Sequence, residues 1–75
     1  MKLWEYEGKR VRISNIDGRV YTGLVDIYSY ADDNESGIAS ILFVTDECLF
    51  IEIEEPEIAK IDIIAASIKS LAVAV

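Results

Sequence analysis

The chain has no histidine and little cysteine, two side chains on which many enzymes rely. Its 75 residues include no histidine, one cysteine and one proline. Histidine is the side chain that exchanges protons most readily near neutral pH, and a lone cysteine cannot form a disulfide within one chain. Cys48 falls in an apolar segment that we predict to be a strand, where a thiol usually behaves as a small hydrophobic group. We therefore expect no enzymatic activity, no cofactor and no metal site.

Positive charge is also scarce. Seven Lys and Arg residues stand against 14 Asp and Glu, a formal net charge of −7. The first 19 residues carry five bases and three acids, a net of +2, and the remainder carries two bases and eleven acids, a net of −9. Such a surface repels phosphate backbones, so RNA binding would need a local basic patch. The first strand holds the candidate patch.

The length of the chain fits a single domain. A domain this small buries only about 60% of its unfolded surface, so it is marginal alone and association is expected. The most apolar stretch, residues 58–75, is interrupted by Lys60, Asp62 and Lys69, so we expect no membrane span. No secretory leader is recognisable, and we expect a cytoplasmic protein.

Two alternating segments near the start predict a β-hairpin. Val11 and Ile13 fall on one face of the first segment, and arginines fall on the other. Gly18 predicts a tight turn, because glycine readily adopts the left-handed backbone that such turns need. Gly23 lies inside the second segment and predicts a sharp bend or a close approach of another backbone.

The rest of the sequence predicts an open barrel. The expected elements are a short N-terminal helix or arm at residues 1–7 and strands at 9–15, 20–28, 38–44, 48–53 and 58–64. Residues 31–37 are polar and rich in turn formers, and Pro56 ends the fourth strand because it cannot donate a backbone hydrogen bond. We therefore predict an all-β domain over residues 1–64, with five strongly bent antiparallel strands, and an apolar tail or short helix at 65–75.

The spacing of glycines and apolar residues in the hairpin is similar to a known pattern. Gly8-Lys9-x-Val11-x-Ile13-x-x-x-Asp17-Gly18-x-x-Tyr21-x-Gly23-x-Val25 resembles the first motif of the Sm-like family of small barrels, and Ile58-x-x-Ile61 resembles the end of the second. Other five-stranded barrels of SH3 type also bend at glycines. The resemblance implies an Sm-like or SH3-like open barrel and a divergent, acidic member of the family.

The resemblance also implies a homo-oligomeric ring of about five to seven subunits, closed when the fourth strand of one subunit pairs with the fifth of the next. Both strands are very apolar, and a stable monomer normally protects such edges with charge or a bulge. The expected interface residues are Phe50, Ile51, Ile53, Ile58, Ile61 and Ile63.

The uridine site of RNA-binding family members has no match here. Ser29 stands at the position of their loop aspartate, and Ile53-Glu54-Glu55 stands where they carry Ile-Arg-Gly. A glutamate thus reverses the charge of an arginine that would hold a base or a phosphate. We expect the usual uridine site to be absent.

Acidic residues take its place in the two corresponding loops. They are Asp32, Asp33 and Glu35 in one loop and Glu54, Glu55 and Glu57 in the other. In an Sm-like ring both loops line the same side of the central hole, which implies an anionic pore that attracts a basic partner. The alternative is that these are solvated loops that confer solubility.

RNA binding through other residues is the alternative function. Its candidates are Arg10, Arg12, Arg19, Tyr28 and Tyr30. Arginines bind phosphates and tyrosines stack on bases, although strand faces carry arginines routinely and tyrosines often pack on the barrel. We expect a non-enzymatic, ring-forming scaffold or binding module whose partner is a basic protein or, alternatively, RNA.

Overall fold

The computed structural model describes residues 1–65, whose five strands form one antiparallel sheet in the order β4-β3-β2-β1-β5. The strands are β1 (Arg10–Asn15), β2 (Val20–Ser29), β3 (Ser40–Thr45), β4 (Phe50–Glu54) and β5 (Ile58–Ala65). Short 3₁₀ helices occupy Leu3–Tyr6 (η1), Ala31–Asp33 (η2) and Glu55–Glu57 (η3). Within these residues β4 and β5 are the two ends of the sheet and do not pair. The predicted all-β, open-barrel fold is confirmed.

One face of the curved sheet holds the hydrophobic core. Val11 and Ile13 of β1 are fully buried, whereas Arg12 between them is exposed, so the predicted alternation of β1 is confirmed. Phe43 of β3 is the largest fully buried side chain. Leu3 is also fully buried, so η1 covers part of this core. The other core residues are Val25, Ile41, Ile53 and Ile58.

Two local features allow β2 to pair with both β1 and β3 while the sheet curls. A Cβ atom at Gly23 would lie 2.1 Å from the backbone carbonyl oxygen of Val44, so the predicted close approach is confirmed and only glycine fits. The pairing of β2 with β3 then shifts register between Val25 and Ile27. Such a bulge bends a strand and increases its twist.

The predicted tight turn between β1 and β2 is also confirmed. Gly18 has a φ of 90° and donates its N–H to the carbonyl of Asn15, at 3.0 Å. Asn15 in turn donates to the carbonyl of Arg19, at 2.8 Å. These bonds close the hairpin at the position that the sequence indicated.

Two strands begin two residues later than predicted. β3 begins at Ser40 rather than at residue 38, because the side-chain amide of Asn34 donates to the carbonyl of Ile38, at 2.7 Å, and holds that segment in the loop. β4 begins at Phe50 rather than at residue 48. Cys48 lies in the preceding turn, where it is exposed and has a φ of 66°. The expectation that Cys48 packs within an apolar strand is therefore wrong.

The two chain ends are predicted to carry short helices, or an arm and a tail. The expected N-terminal helix is one short 3₁₀ helix, Leu3–Tyr6. The expected C-terminal tail or helix falls almost entirely on residues 66–75, outside the described residues. None of the helices in residues 1–65 is long and apolar enough to cross a membrane.

Candidate functional site

The two acidic loops singled out in the sequence lie side by side. The β2–β3 loop, residues 30–39, is joined to η3 by a hydrogen bond from the N–H of Glu55 to the carbonyl of Ala39, at 2.9 Å. Of the candidate acids, Asp32, Asp33, Glu35 and Glu57 are exposed, and Glu54 and Glu55 are half-buried. The contact between the loops concentrates negative charge at one end of the sheet.

A buried hydroxyl connects these loops to the edge strand. Ser40 is 1% exposed, and its Oγ accepts from Nδ2 of Asn34 at 3.2 Å and donates to Oε2 of Glu52 at 2.9 Å. This chain of hydrogen bonds fixes the β2–β3 loop against β4. Sequence reasoning missed it, because a serine and an asparagine in a polar loop carry no periodic signal.

The carboxylates of η3 are partly used by the fold itself. Oε2 of Glu57 accepts from the N–H of Glu54 at 3.4 Å, within a capping box, and Pro56 sits in the first turn where no donor is required. Within residues 1–65 no group of three or more His, Cys, Asp or Glu is arranged to hold a metal ion. Chemically, the remaining exposed carboxylates can attract a cationic group by long-range charge.

The basic residues of β1 are interleaved with acids. Nη2 of Arg10 lies 2.5 Å from Oδ2 of Asp46. Arg12 is exposed and lies directly opposite Asp62 of β5, whose carboxylate is 3.7 Å from Nζ of Lys60. Positive and negative side chains therefore alternate on this face, which weakens its attraction for a phosphate backbone.

Arg19 lies apart from the other two arginines, in the β1–β2 turn. A hydrogen bond with the side chain of Tyr21, followed by the charges of Tyr21 and Asp17, raises the pKa of the Arg19 guanidinium above its ordinary value. Beside this turn a cleft of about 420 Å³ separates it from β4. In the lining of the cleft, Oδ1 of Asn15 is buried and has no hydrogen-bond partner among the described residues.

The expected interface residues divide into an exposed and a buried group. Phe50 of β4 is 73% exposed and Ile63 of β5 is 50% exposed. Ile63 lies opposite the fully buried Val11, and no described strand lies beyond β5 to cover it. The other four side chains contribute to the core of the same chain or pack against it: Ile51, Ile53, Ile58 and Ile61.

The outer face of the sheet carries an apolar stripe that the sequence analysis did not single out. Leu24, Val44 and Phe50 lie directly opposite one another on β2, β3 and β4. We call these three residues the outer stripe. Its signal in the sequence is the uninterrupted apolar run 41–44, because strands with such runs are usually covered on both faces.

The two candidate tyrosines form an aromatic cluster with Trp4. The ring centroids of Tyr28 and Tyr30 are 5.0 Å apart with an interplanar angle of 85°, and those of Trp4 and Tyr28 are 6.3 Å apart at 70°. Trp4 and Tyr30 are 52% and 62% exposed, and Tyr28 is half-buried. Tyr28 lies near the end of β2, and Tyr30 lies in the acidic β2–β3 loop that follows. The candidate arginines lie elsewhere, on β1 and in the β1–β2 turn.

Comparison of the chain with protein-family models, with curated proteins and with solved structures finds no match.

Proposed function

We propose that the protein is a non-catalytic binding module that assembles into a ring through the two free edges of its sheet, as its resemblance to Sm-like barrels implies. The observation that carries this proposal is the state of those edges. β4 and β5 each have a strand on one side only within the described residues, and each exposes a large apolar side chain, Phe50 and Ile63. Exposed apolar edges are templates for pairing with another chain.

Pairing between two different edges determines the type of assembly. A β4 edge that meets a β5 edge makes a head-to-tail contact, which closes into a ring when the rotation per subunit permits. The outer stripe reaches the β4 edge at Phe50 and supplies further apolar surface beside the contact. Each subunit would add its acidic loops to the ring, and the repeated negative charge would recruit a basic partner.

Light scattering on purified protein tests the assembly directly. We expect a mass of about five to seven times the chain mass of 8.4 kDa. Phe50→Lys and Ile63→Lys, each of which adds a charge to one edge, should reduce the protein to a monomer. Val20→Lys is the matched control, because Val20 is 58% exposed and lies on a central strand, and it should leave the ring intact. A monomeric unmodified protein would overturn the proposal.

Mixing the two edge variants tests the head-to-tail geometry. The Phe50→Lys protein retains its β5 edge and the Ile63→Lys protein retains its β4 edge, so an equimolar mixture should form a dimer with one intact contact. If the interface instead joins two β4 edges, the Ile63→Lys protein alone should form a dimer and mixing should add nothing.

Binding of labelled oligo-uridine to the same samples, at low and at physiological salt, tests the RNA alternative. We expect no binding at physiological salt, because the arginines of β1 alternate with acids and the net charge is −7. Salt-resistant binding that is lost on Arg12→Glu would favour an RNA-binding protein over a ring that recruits a basic partner.

A further inference from the structure

The aromatic cluster formed by Trp4, Tyr28 and Tyr30 presents exposed aromatic rings at the surface. Its rings meet edge to face, at 70° and 85°, so the cluster presents ring faces in different directions instead of one flat stack. Trp4 and Tyr30 leave about half or more of their surface open to solvent, with exposures of 52% and 62%. Ring faces carry negative potential and attract guanidinium and ammonium groups.

Two acidic residues are hydrogen-bonded to the tyrosines of this cluster. Oε2 of Glu7 accepts from the backbone N–H of Tyr28 at 2.8 Å, and the N–H of Asp33 donates to the carbonyl of Tyr30 at 3.0 Å. The acids in the segments that carry the three rings are Glu5, Glu7, Asp32 and Asp33, and the bases that flank η1 are Lys2 and Lys9. The negative charge repels phosphates and favours a positively charged ligand.

We propose that the aromatic cluster binds an arginine side chain of a basic segment of a partner protein. The guanidinium plane stacks on the exposed faces of Trp4 and Tyr30, and the neighbouring carboxylates supply electrostatic attraction. Arginine fits better than lysine because its group is planar, delocalised and weakly hydrated, and it stacks on aromatic rings. This partner is the basic protein that the proposed binding module would recruit, but the cluster lies within one chain and its binding needs no ring.

Trp4 is the only tryptophan of the chain, so its fluorescence reports on the cluster alone. The probe is a short Gly/Ser peptide that contains two arginines, and its control is the same peptide with citrulline, which keeps the shape and removes the charge. We expect saturable quenching by the arginine peptide and about two- to thirtyfold weaker binding of the citrulline peptide, because citrulline removes the cation–π contact.

Substitutions at Tyr30 test whether the arginine peptide binds to the aromatic cluster. Tyr30→Ala should lower the affinity for the arginine peptide about three- to tenfold. Tyr30→Phe should retain the affinity because the ring face remains. Tyr30 is exposed, so both variants should keep the thermal melting of the unmodified protein. The Phe50→Lys protein should bind the peptide with unchanged affinity even as a monomer, which separates this proposal from the ring.

Three results would overturn the proposal. The first is equal affinity for the arginine and citrulline peptides. The second is unchanged affinity after Tyr30→Ala. The third is quenching of Trp4 by oligo-uridine at physiological salt without quenching by the arginine peptide, which would assign the cluster to base stacking and therefore to RNA.

Discussion

The two phenylalanines of the chain contrast the centre of its sheet with its edge. Phe43 lies on β3, between two other strands, and is fully buried; Phe50 lies on the neighbouring edge strand β4 and is 73% exposed. The same type of side chain is therefore buried on one strand and exposed on the next. Phe43 faces the core and is held by packing within the chain, whereas Phe50 lies on the outer face of the edge strand and leaves apolar surface that the described residues do not cover.

Truncation of the two phenylalanines should have very different effects on stability. Phe43→Ala should cost about 3–5 kcal/mol of unfolding free energy, because it removes a large fully buried side chain and leaves a cavity. A domain of this length is expected to have a stability of about 4–11 kcal/mol, at about 0.05–0.15 kcal/mol per residue, so the variant should lose a large part of its stability. Phe50→Ala should change monomer stability by about 0.5 kcal/mol or less and should weaken assembly.

Urea unfolding followed by circular dichroism measures both effects. The experiment is best done in the Ile63→Lys background, where the assembly does not add to the apparent stability. A loss of monomer stability for Phe50→Ala as large as that for Phe43→Ala would show that the Phe50 side chain is packed within the chain and is not exposed at a free edge.

Gly23 in the centre of the sheet and Gly37 in a peripheral loop should also differ in their tolerance of a side chain. Gly23→Ala places a Cβ 2.1 Å from the carbonyl oxygen of Val44, so β2 and β3 must separate, at a cost at or above the upper end of the about 1–3 kcal/mol typical of overpacked cores. Gly37→Ala in the β2–β3 loop is the matched control. Gly37 has a φ of 72° and open space around it, so only backbone strain of about 1 kcal/mol is expected.

The urea midpoints of the two glycine variants separate steric from conformational effects. Gly23→Ala should shift the midpoint two- to threefold further than Gly37→Ala does. Equal shifts would mean that backbone freedom, and not the close approach of β3, explains the glycine at position 23.

The central hairpin was predictable from the sequence because its signals are local. The alternation of Val11 and Ile13 with charged residues, the turn at Gly18 and the close approach at Gly23 each depend on residues within one or two strands. The inward direction of Ile53 was also predictable, because Ile53 alternates with Glu52 and Glu54 along β4. The prediction of Ile53 as an interface residue did not use that alternation.

Features that join distant segments could not be predicted in this way. The aromatic cluster brings Trp4 of η1 against Tyr28 of β2, and the Ser40 hydroxyl joins the β2–β3 loop to Glu52 of β4. No periodicity in the sequence specifies either contact. Candidate residues in the acidic loops were identifiable from composition, but the contact between the loops, at Ala39 and Glu55, required the register of the whole sheet.

The smallest expected effect concerns the turn that joins the central strand β3 to the edge strand β4. Cys48 has a φ of 66°, a conformation that costs an L-residue about 1–2 kcal/mol and that glycine adopts freely. Cys48→Gly should therefore stabilise the monomer, by about 1 kcal/mol at most, because glycine also gives the unfolded chain more freedom. Cys48→Ser retains the strained backbone and should leave the urea midpoint unchanged. If both variants stabilise equally, the gain comes from removal of the exposed thiol, and the strain is not what limits the stability of this turn.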